Sequence, residues 1–223
     1  MNFMGSILPD ICARLARRGW VRGSFCRGAA ILAVSLAFFA AACHYEPSLD
    51  TRPLDAAGFT YSAIQKLKVL NIASTEVGDV VKAREGGLSE EGCINLVKLY
   101  HQRGKPFNVG TTVANFVQSG MREEKVLELG SLDQLGLGSG ELLAMRLAGL
   151  SDEIVLEVAL HRSAGKQVLS GVSLAGMRNA GLRNATIFEL VHRDVLDSQA
   201  NAILSLRRHG ASDAEILRRF SGS

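Results

Sequence analysis

The sequence predicts an all-α fold, built as an array of about five repeats of helix, glycine turn and helix. Composition is the first reason: aromatic residues are scarce (6%), glycine is abundant (23 residues) and only four prolines occur. That mix favours short helices joined by turns over a sheet. The second reason is that five glycines recur at nearly even spacing, with flanks that agree at six offsets. An α-solenoid-like array or an irregular helical bundle would both fit.

The first element is a leader over residues 1–42. It has an arginine-rich start followed by an unbroken apolar and small run over positions 29–42. A helix needs roughly 20 apolar residues to span a bilayer, more than this run supplies, so its length favours a cleaved signal peptide. Five of the 25 basic side chains and one of the 22 acidic ones lie in the leader. The rest of the chain is therefore near neutral, which argues against a nucleic-acid partner.

The end of the leader, Ala40-Ala41-Ala42-Cys43, resembles the lipobox of bacterial lipoproteins, with Ala40 in place of the usual Leu. The resemblance implies that Cys43 takes a diacylglycerol, that the leader is cut before it, and that the partner there is membrane lipid. In that family an Asp directly after the Cys can retain the protein at the inner membrane. Because His44 stands there instead, the resemblance also favours the outer membrane, facing the periplasm. An ordinary signal cut at Ala-x-Ala and an uncleaved anchor are the alternatives.

Residues 43–60 contain Pro47 and Pro53 and show little periodicity. This composition predicts a flexible tether between the lipid and the domain. The helical-repeat domain is then expected to occupy residues 61–223.

The repeat is defined by its turn glycines. Apolar residues stand seven and four positions before each glycine, directly after it, and six and seven positions after it. This pattern predicts a helix that ends in a Schellman motif, with glycine at C′, followed at once by a second helix. Alternate units resemble each other most, in their spacing and in having either Ser or Arg before the second helix, which suggests paired units. The turn glycines are Gly87, Gly120, Gly149, Gly181 and Gly210.

The start of each second helix carries a capping signal. Ser89, Ser151 and Ser212 fit the N-cap, and Ser212 with Glu215 fits a capping box. The third residue after the glycine is usually acidic, which suits the positive end of the helix dipole. These acidic or amide residues are Glu90, Glu123, Asp152, Asn184 and Asp213.

An arginine stands three residues before four of the five glycines. Such a row could form a basic stripe that binds an anionic partner, although cations are also favoured near helix C-termini for structural reasons. The four residues are Arg84, Arg146, Arg178 and Arg207.

Other residues have candidate chemistry but a stronger structural interpretation. Cys93 takes an apolar repeat position and is expected in the core. Residues 136–140 resemble a phosphate loop but lack the strand and the Lys-Ser/Thr ending, so they predict a linker in which Ser139 caps the next helix. Three histidines fall late in second helices, without a metal-ligand spacing, and no metal or cofactor is predicted. They are His101, His161 and His192.

These features favour an interaction or scaffold lipoprotein whose stacked hairpins bind a protein or cell-envelope partner, rather than an enzyme. A cell-envelope enzyme, for example one acting on peptidoglycan, is the alternative. A DNA-binding helix-turn-helix at residues 206–219 is a lesser one.

Overall fold

The computed structural model describes residues 49–220, and this part of the chain is all-α. It contains six helical hairpins, each with a first and a second helix. The first helices are α1 (Arg52–Ala56), α3 (Ser74–Glu85), α5 (Gly110–Gln118), α7 (Ser139–Leu147), α9 (Gly171–Asn179) and α11 (Ala200–Arg208). The second helices are α2 (Tyr61–Val69), α4 (Glu90–Gln102), α6 (Glu123–Ser131), α8 (Asp152–Ser163), α10 (Asn184–His192) and α12 (Asp213–Arg219). A short 3₁₀ turn, Asp197–Gln199, precedes α11.

The hairpins stack in chain order into two layers. Each first helix packs against the first helix of the next hairpin, and each second helix packs against the next second helix. The residues six positions after the turn glycines are all fully buried between the layers. The contacts therefore correspond to a solenoid-like array rather than an irregular bundle. None of the helices between residues 49 and 220 is long and apolar enough to cross a membrane.

The turn within each hairpin is a Schellman motif, as predicted. In the hairpin of α3 and α4, Gly87 has φ +106°, Leu88 N–H donates to Ala83 O at 3.1 Å, and Gly87 N–H donates to Arg84 O at 3.0 Å. These are the 6→1 and 5→2 bonds of the motif. The same pair of bonds closes the turn of all six hairpins in this part of the chain.

The sixth turn corrects the predicted start of the domain. Gly58 (φ +79°) links α1 to α2. The apolar residues four positions before and directly after it, Leu54 and Phe59, are 0% and 5% exposed. Residues 52–60 therefore belong to the array and not to the predicted tether 43–60. Pro53 lies in the first turn of α1, where a missing N–H costs nothing. Residues 43–48 of that tether lie outside the part that the structure describes.

The turns between hairpins repeat in step with the turns within them. Each second helix from α2 to α10 is followed by a residue with positive φ, and every one of these residues stands at the same distance along the chain before a turn glycine. Three of the five are Asn or Asp, which tolerate the left-handed conformation better than other non-glycine residues. They are Asn71, Gly104, Asp133, Gly165 and Asp194.

Contacts between neighbouring first helices recur every second hairpin. Gly110 N–H donates to Asp79 Oδ1 at 3.1 Å, and Gly171 N–H, at the same place two hairpins later, donates to Glu141 Oε1 at 2.5 Å. Both glycines begin their helices, α5 and α9. Two lysine–aspartate ion pairs repeat with the same two-hairpin period, Lys105–Asp133 at 2.5 Å and Lys166–Asp194 at 3.1 Å. The predicted pairing of units thus has a structural counterpart.

Candidate functional site: the stacked turns and the second-helix face

The four arginines of the predicted basic stripe lie along the edge where the hairpin turns stack. Each donates from Nη1 to the carbonyl of the residue after its own turn glycine, as Arg84 does to Leu88 O at 2.9 Å. The equivalent bonds are Arg146 to Leu150 O, Arg178 to Leu182 O and Arg207 to Ala211 O, at 3.0, 3.3 and 3.2 Å. Each arginine therefore closes the turn that follows its own helix. Binding of an anionic partner by this row stays a prediction.

Two of these arginines also join neighbouring hairpins. Arg146 Nη2 donates to Gly120 O at 3.0 Å, and Arg207 Nη2 donates to Gly181 O at 2.8 Å. In both cases the acceptor is the turn glycine of the preceding hairpin. A guanidinium with five fixed donors can hold two turns at once.

The acidic residues three positions after the turn glycines form a second set of bridges between hairpins. Glu123 accepts the Ser89 N–H at 2.9 Å and the Ser89 hydroxyl at 2.5 Å. Asp152 and Asp213 accept the N–H of the residue at the same place in the preceding hairpin, Arg122 at 3.2 Å and Arg183 at 3.3 Å. Sequence reasoning explained these acids by the dipole of their own helix. Their partners belong to the hairpin before, so local spacing could not reveal them.

Asp213 shows the electrostatics of such a bridge. Its side chain is 9% exposed and faces Arg183 Nε at 3.0 Å and Arg207 Nη1 at 3.2 Å. The Thr186 hydroxyl donates to it at 2.6 Å. Burial disfavours the ionised carboxylate, but the hydrogen bonds from Thr186 and Arg183 outweigh burial and hold the pKa of Asp213 below its ordinary value.

The last hairpin closes its own turn. Ser212 N–H donates to Glu215 Oε2 at 2.7 Å, and the Ser212 hydroxyl accepts from Glu215 N–H at 3.3 Å. This is the predicted capping box. Glu215 thus takes the role that a carboxylate of the next hairpin has at Ser89, Arg122 and Arg183. The predicted N-cap bond of Ser89 is also present, to Gly92 N–H at 2.9 Å. Ser151 takes the N-cap position without such a bond.

The histidines lie between second helices or at their ends, and two of them share a carboxylate. Glu157 Oε1 lies 3.2 Å from His161 Nε2 and 2.9 Å from His192 Nδ1. The hydrogen bond to Glu157 raises the pKa of His192. His161 Nδ1 lies 2.9 Å from Asp194 Oδ1. Between residues 49 and 220, no group of three or more His, Cys, Asp or Glu side chains is arranged to hold a metal ion.

His101 is half-buried and pairs with the buried Glu76. Its Nε2 lies 2.8 Å from Glu76 Oε1 and its Nδ1 lies 2.9 Å from Leu70 O. Glu76 also accepts the N–H groups of Phe107 and Ala73 at 2.6 and 2.7 Å. Burial opposes ionisation of Glu76, but these backbone hydrogen bonds and the one from His101 together lower its pKa. The pair therefore fixes the loop that follows α4 onto the start of α3.

The cysteines and the glycine-rich segment complete the predicted candidates. Cys43 lies outside the described residues, so its lipidation stays a prediction. Cys93 is fully buried, as expected, and burial raises the pKa of its thiol to about 12.

In the linker 136–140, Gly138 and not Ser139 precedes α7 as its N-cap, with φ +89°. Ser139 is the first helical residue, so the prediction that it caps α7 was wrong.

One half-buried apolar side chain from each of five successive second helices forms a row, which we call the second-helix stripe. Each member stands seven positions after a turn glycine, directly after the fully buried residue at position six. Both positions are apolar in the sequence, but only the residue at position six is fully enclosed. The stripe consists of Ile94, Leu127, Leu156, Phe188 and Leu217. A partly exposed apolar row of this kind can contact an extended partner.

Comparison with models of known protein families gave no match. Comparison with curated protein sequences gave none either.

Proposed function

We propose that this chain is a lipid-anchored interaction module of the bacterial cell envelope, whose stacked hairpins bind a protein or another envelope component. The observation that carries the binding part of the proposal is the second-helix stripe. It presents one apolar side chain from each of five successive second helices. Neighbouring packed helices are about 8–10 Å apart, so four steps extend over roughly 35 Å. This length suits an extended partner that contacts several repeats at once.

The polar residues of the array support an interaction role in a second way. The arginines, acids and histidines singled out from the sequence are engaged in bonds that hold turns and helix ends together. Repeat proteins use such bonds to make a rigid stack, and the surface of the stack is then available for partners.

The anchoring part of the proposal rests on the leader. Its apolar run ends in three alanines and Cys43, in the arrangement that resembles a lipobox. Cys43 lies six positions before Leu49, where the part described by the structure begins. A fully extended chain spans about 3.5 Å per residue, so a lipid on Cys43 would keep the array within roughly 20 Å of its anchor.

Radiolabelled palmitate incorporation in the native host tests the anchor. We expect label on the wild-type chain and on Cys26→Ala, a matched variant that loses a different leader cysteine. The Cys43→Ala chain should carry none. Label that persists in Cys43→Ala, or that is missing from the wild type, would contradict lipidation at this position.

Photo-crosslinking in the same host tests the binding surface. A photoreactive phenylalanine analogue is placed at Leu127, Leu156 or Phe188 of the stripe, and at Val172, which is 82% exposed in the first-helix layer. We expect the three stripe positions to capture one common partner that position 172 does not capture. If the stripe positions capture nothing, or the same set of proteins as position 172, then the stripe is not the binding surface.

A further inference from the structure

The first hairpin carries an exposed face with a different character from the stripe. On α2, Tyr61 and Val69 are 78% and 80% exposed, and the exposed residues between them include Lys66 and Lys68. No acidic residue occurs in α2. On a helical period of 3.6 residues, these exposed side chains occupy one continuous arc of the helix.

The same face continues onto α4 as a shallow groove of about 420 Å³. Val69 supplies apolar surface in the groove together with Ile94, which is also the first residue of the second-helix stripe, and Lys66 and Lys98 flank the groove. The remaining lining residues are Ser62, Gln65 and Leu70. We call the exposed residues of α2 together with this groove the α2–α4 face.

We propose that the α2–α4 face lies on an anionic lipid bilayer. Three lysines, Lys66, Lys68 and Lys98, stand around exposed aromatic and aliphatic side chains. Lysine stems cover apolar surface while their ammonium groups reach lipid phosphates, and a tyrosine ring suits the same interface. Glu91 is the exposed carboxylate at the start of α4, and Glu90 accepts the Thr60 hydroxyl at 2.7 Å. The face therefore carries net positive charge.

The position of this face in the chain points to the same occupant. Its α2 part belongs to the hairpin that begins only three positions after Leu49. Among the hairpins that the structure describes, this one is the nearest to Cys43 along the chain. The closeness of this hairpin to a bilayer rests on the proposed lipid at Cys43, whereas the charge and exposure of the face do not. A short connection to a lipid raises the local concentration of the bilayer around the first hairpin, so even a weak surface contact would be formed most of the time.

The contact has an expected strength. A lysine close to an anionic bilayer strengthens binding about fivefold. Replacing both Lys66 and Lys98 by Gln should therefore weaken binding about twenty-five-fold. A matched variant, K82Q/R208Q, removes two positive charges from exposed first-helix positions and should have little effect.

A local probe on the full chain tests the proposal. Cys12, Cys26 and Cys43 are replaced by Ser, and a cysteine at position 69 or 172 is labelled with an environment-sensitive fluorophore; buried Cys93 is retained. Position 69 is the test and position 172 is its matched control, since both are helical valines, with exposures of 80% and 82%. The labelled chains are mixed with vesicles of phosphatidylglycerol and phosphatidylcholine, or of phosphatidylcholine alone, and quenched with a water-soluble quencher.

We expect the probe at position 69, but not the probe at 172, to become protected by the anionic vesicles. K66Q/K98Q should abolish that protection and K82Q/R208Q should retain it. Protection at both positions, or equal protection by neutral vesicles, would overturn the proposal. These chains lack Cys43, so a protected residue 69 together with negative palmitate labelling would contradict the anchor and leave the α2–α4 face supported. An unprotected residue 69 with positive labelling would do the reverse.

Discussion

Single polar residues in this array act mainly on neighbours that are distant in the sequence. Glu123 binds the turn around Ser89, and Asp213 binds the turn around Arg183. The acidic character of these positions is visible in the repeat, but the helix dipole alone already accounts for it. Only the stacking of hairpins shows that Glu123, Asp152 and Asp213 each accept an N–H at the turn before their own. Such N–H groups would otherwise have to find water at a helix end.

The buried Glu76 allows a prediction of pH dependence. Its pKa lies below the ordinary value of 4.5, so folding favours its ionised form. Its contribution to stability is therefore complete above pH 4.5 and is lost as the pH falls through the lowered pKa. Glu76→Gln should destabilise the chain at pH 7 by about 1.5–3 kcal/mol, since it weakens hydrogen bonds to a charged group.

Urea unfolding at several pH values checks this expectation. The difference in unfolding free energy between wild type and Glu76→Gln should shrink as the pH falls below 4.5. Glu91→Gln replaces an exposed glutamate of α4 and is the control. A difference that stays constant down to pH 3 would show that the charge of Glu76 does not contribute to stability.

At the scale of helices and turns, the sequence predicted best where one residue type marks one conformation. Five glycine turns were predicted because the left-handed residue at C′ is usually glycine. The first hairpin was missed because Tyr61 replaces the usual acid and because prolines suggested a tether. The turns between hairpins are harder to find in the sequence, since Asn71, Asp133 and Asp194 adopt the left-handed conformation without being glycine. The stripe could not be separated from the core by periodicity, because positions six and seven are both apolar.

Close packing of α3 against α5 makes Gly110 sensitive to substitution. A Cβ on Gly110 would lie 1.9 Å from Asp79 O, a backbone atom that cannot move without shifting α3. Gly110→Ala should therefore destabilise the chain by about 1–3 kcal/mol or more. A Cβ on Gly140, in the first turn of α7, would meet no atom within 4 Å apart from its chain neighbours and the backbone of its own helix. Gly140→Ala should stabilise by up to about 1 kcal/mol, because alanine is the better helix former.

Thermal or urea unfolding of the two alanine variants distinguishes packing from propensity. If helix propensity dominated at both sites, both substitutions would stabilise the chain. Opposite signs are expected instead, and a stabilising Gly110→Ala would contradict the close approach of α3 and α5.

For the molecule as a whole, stability should be a sum over hairpins and the interfaces between them. The interfaces alternate. Glycine begins α5 and α9, where each meets a carboxylate of the preceding first helix, whereas α7 begins with Ser139 and α11 with Ala200. The contact between neighbouring first helices is therefore preserved when a pair of hairpins is removed, but not when a single hairpin is removed.

Two deletions test this conclusion. Removal of residues 110–170 joins Val109 to Gly171, so that α9 replaces α5 against Asp79 with glycine in the same place. This four-hairpin chain should keep cooperative unfolding, at a lower midpoint because two hairpins and their interfaces are gone.

Removal of residues 110–138 joins Val109 to Ser139 and places a side chain where a Cβ would meet Asp79 O. Although it removes fewer residues, this deletion should be the more damaging. Circular dichroism during urea unfolding reports both results, and a more stable single-hairpin deletion would refute the paired architecture.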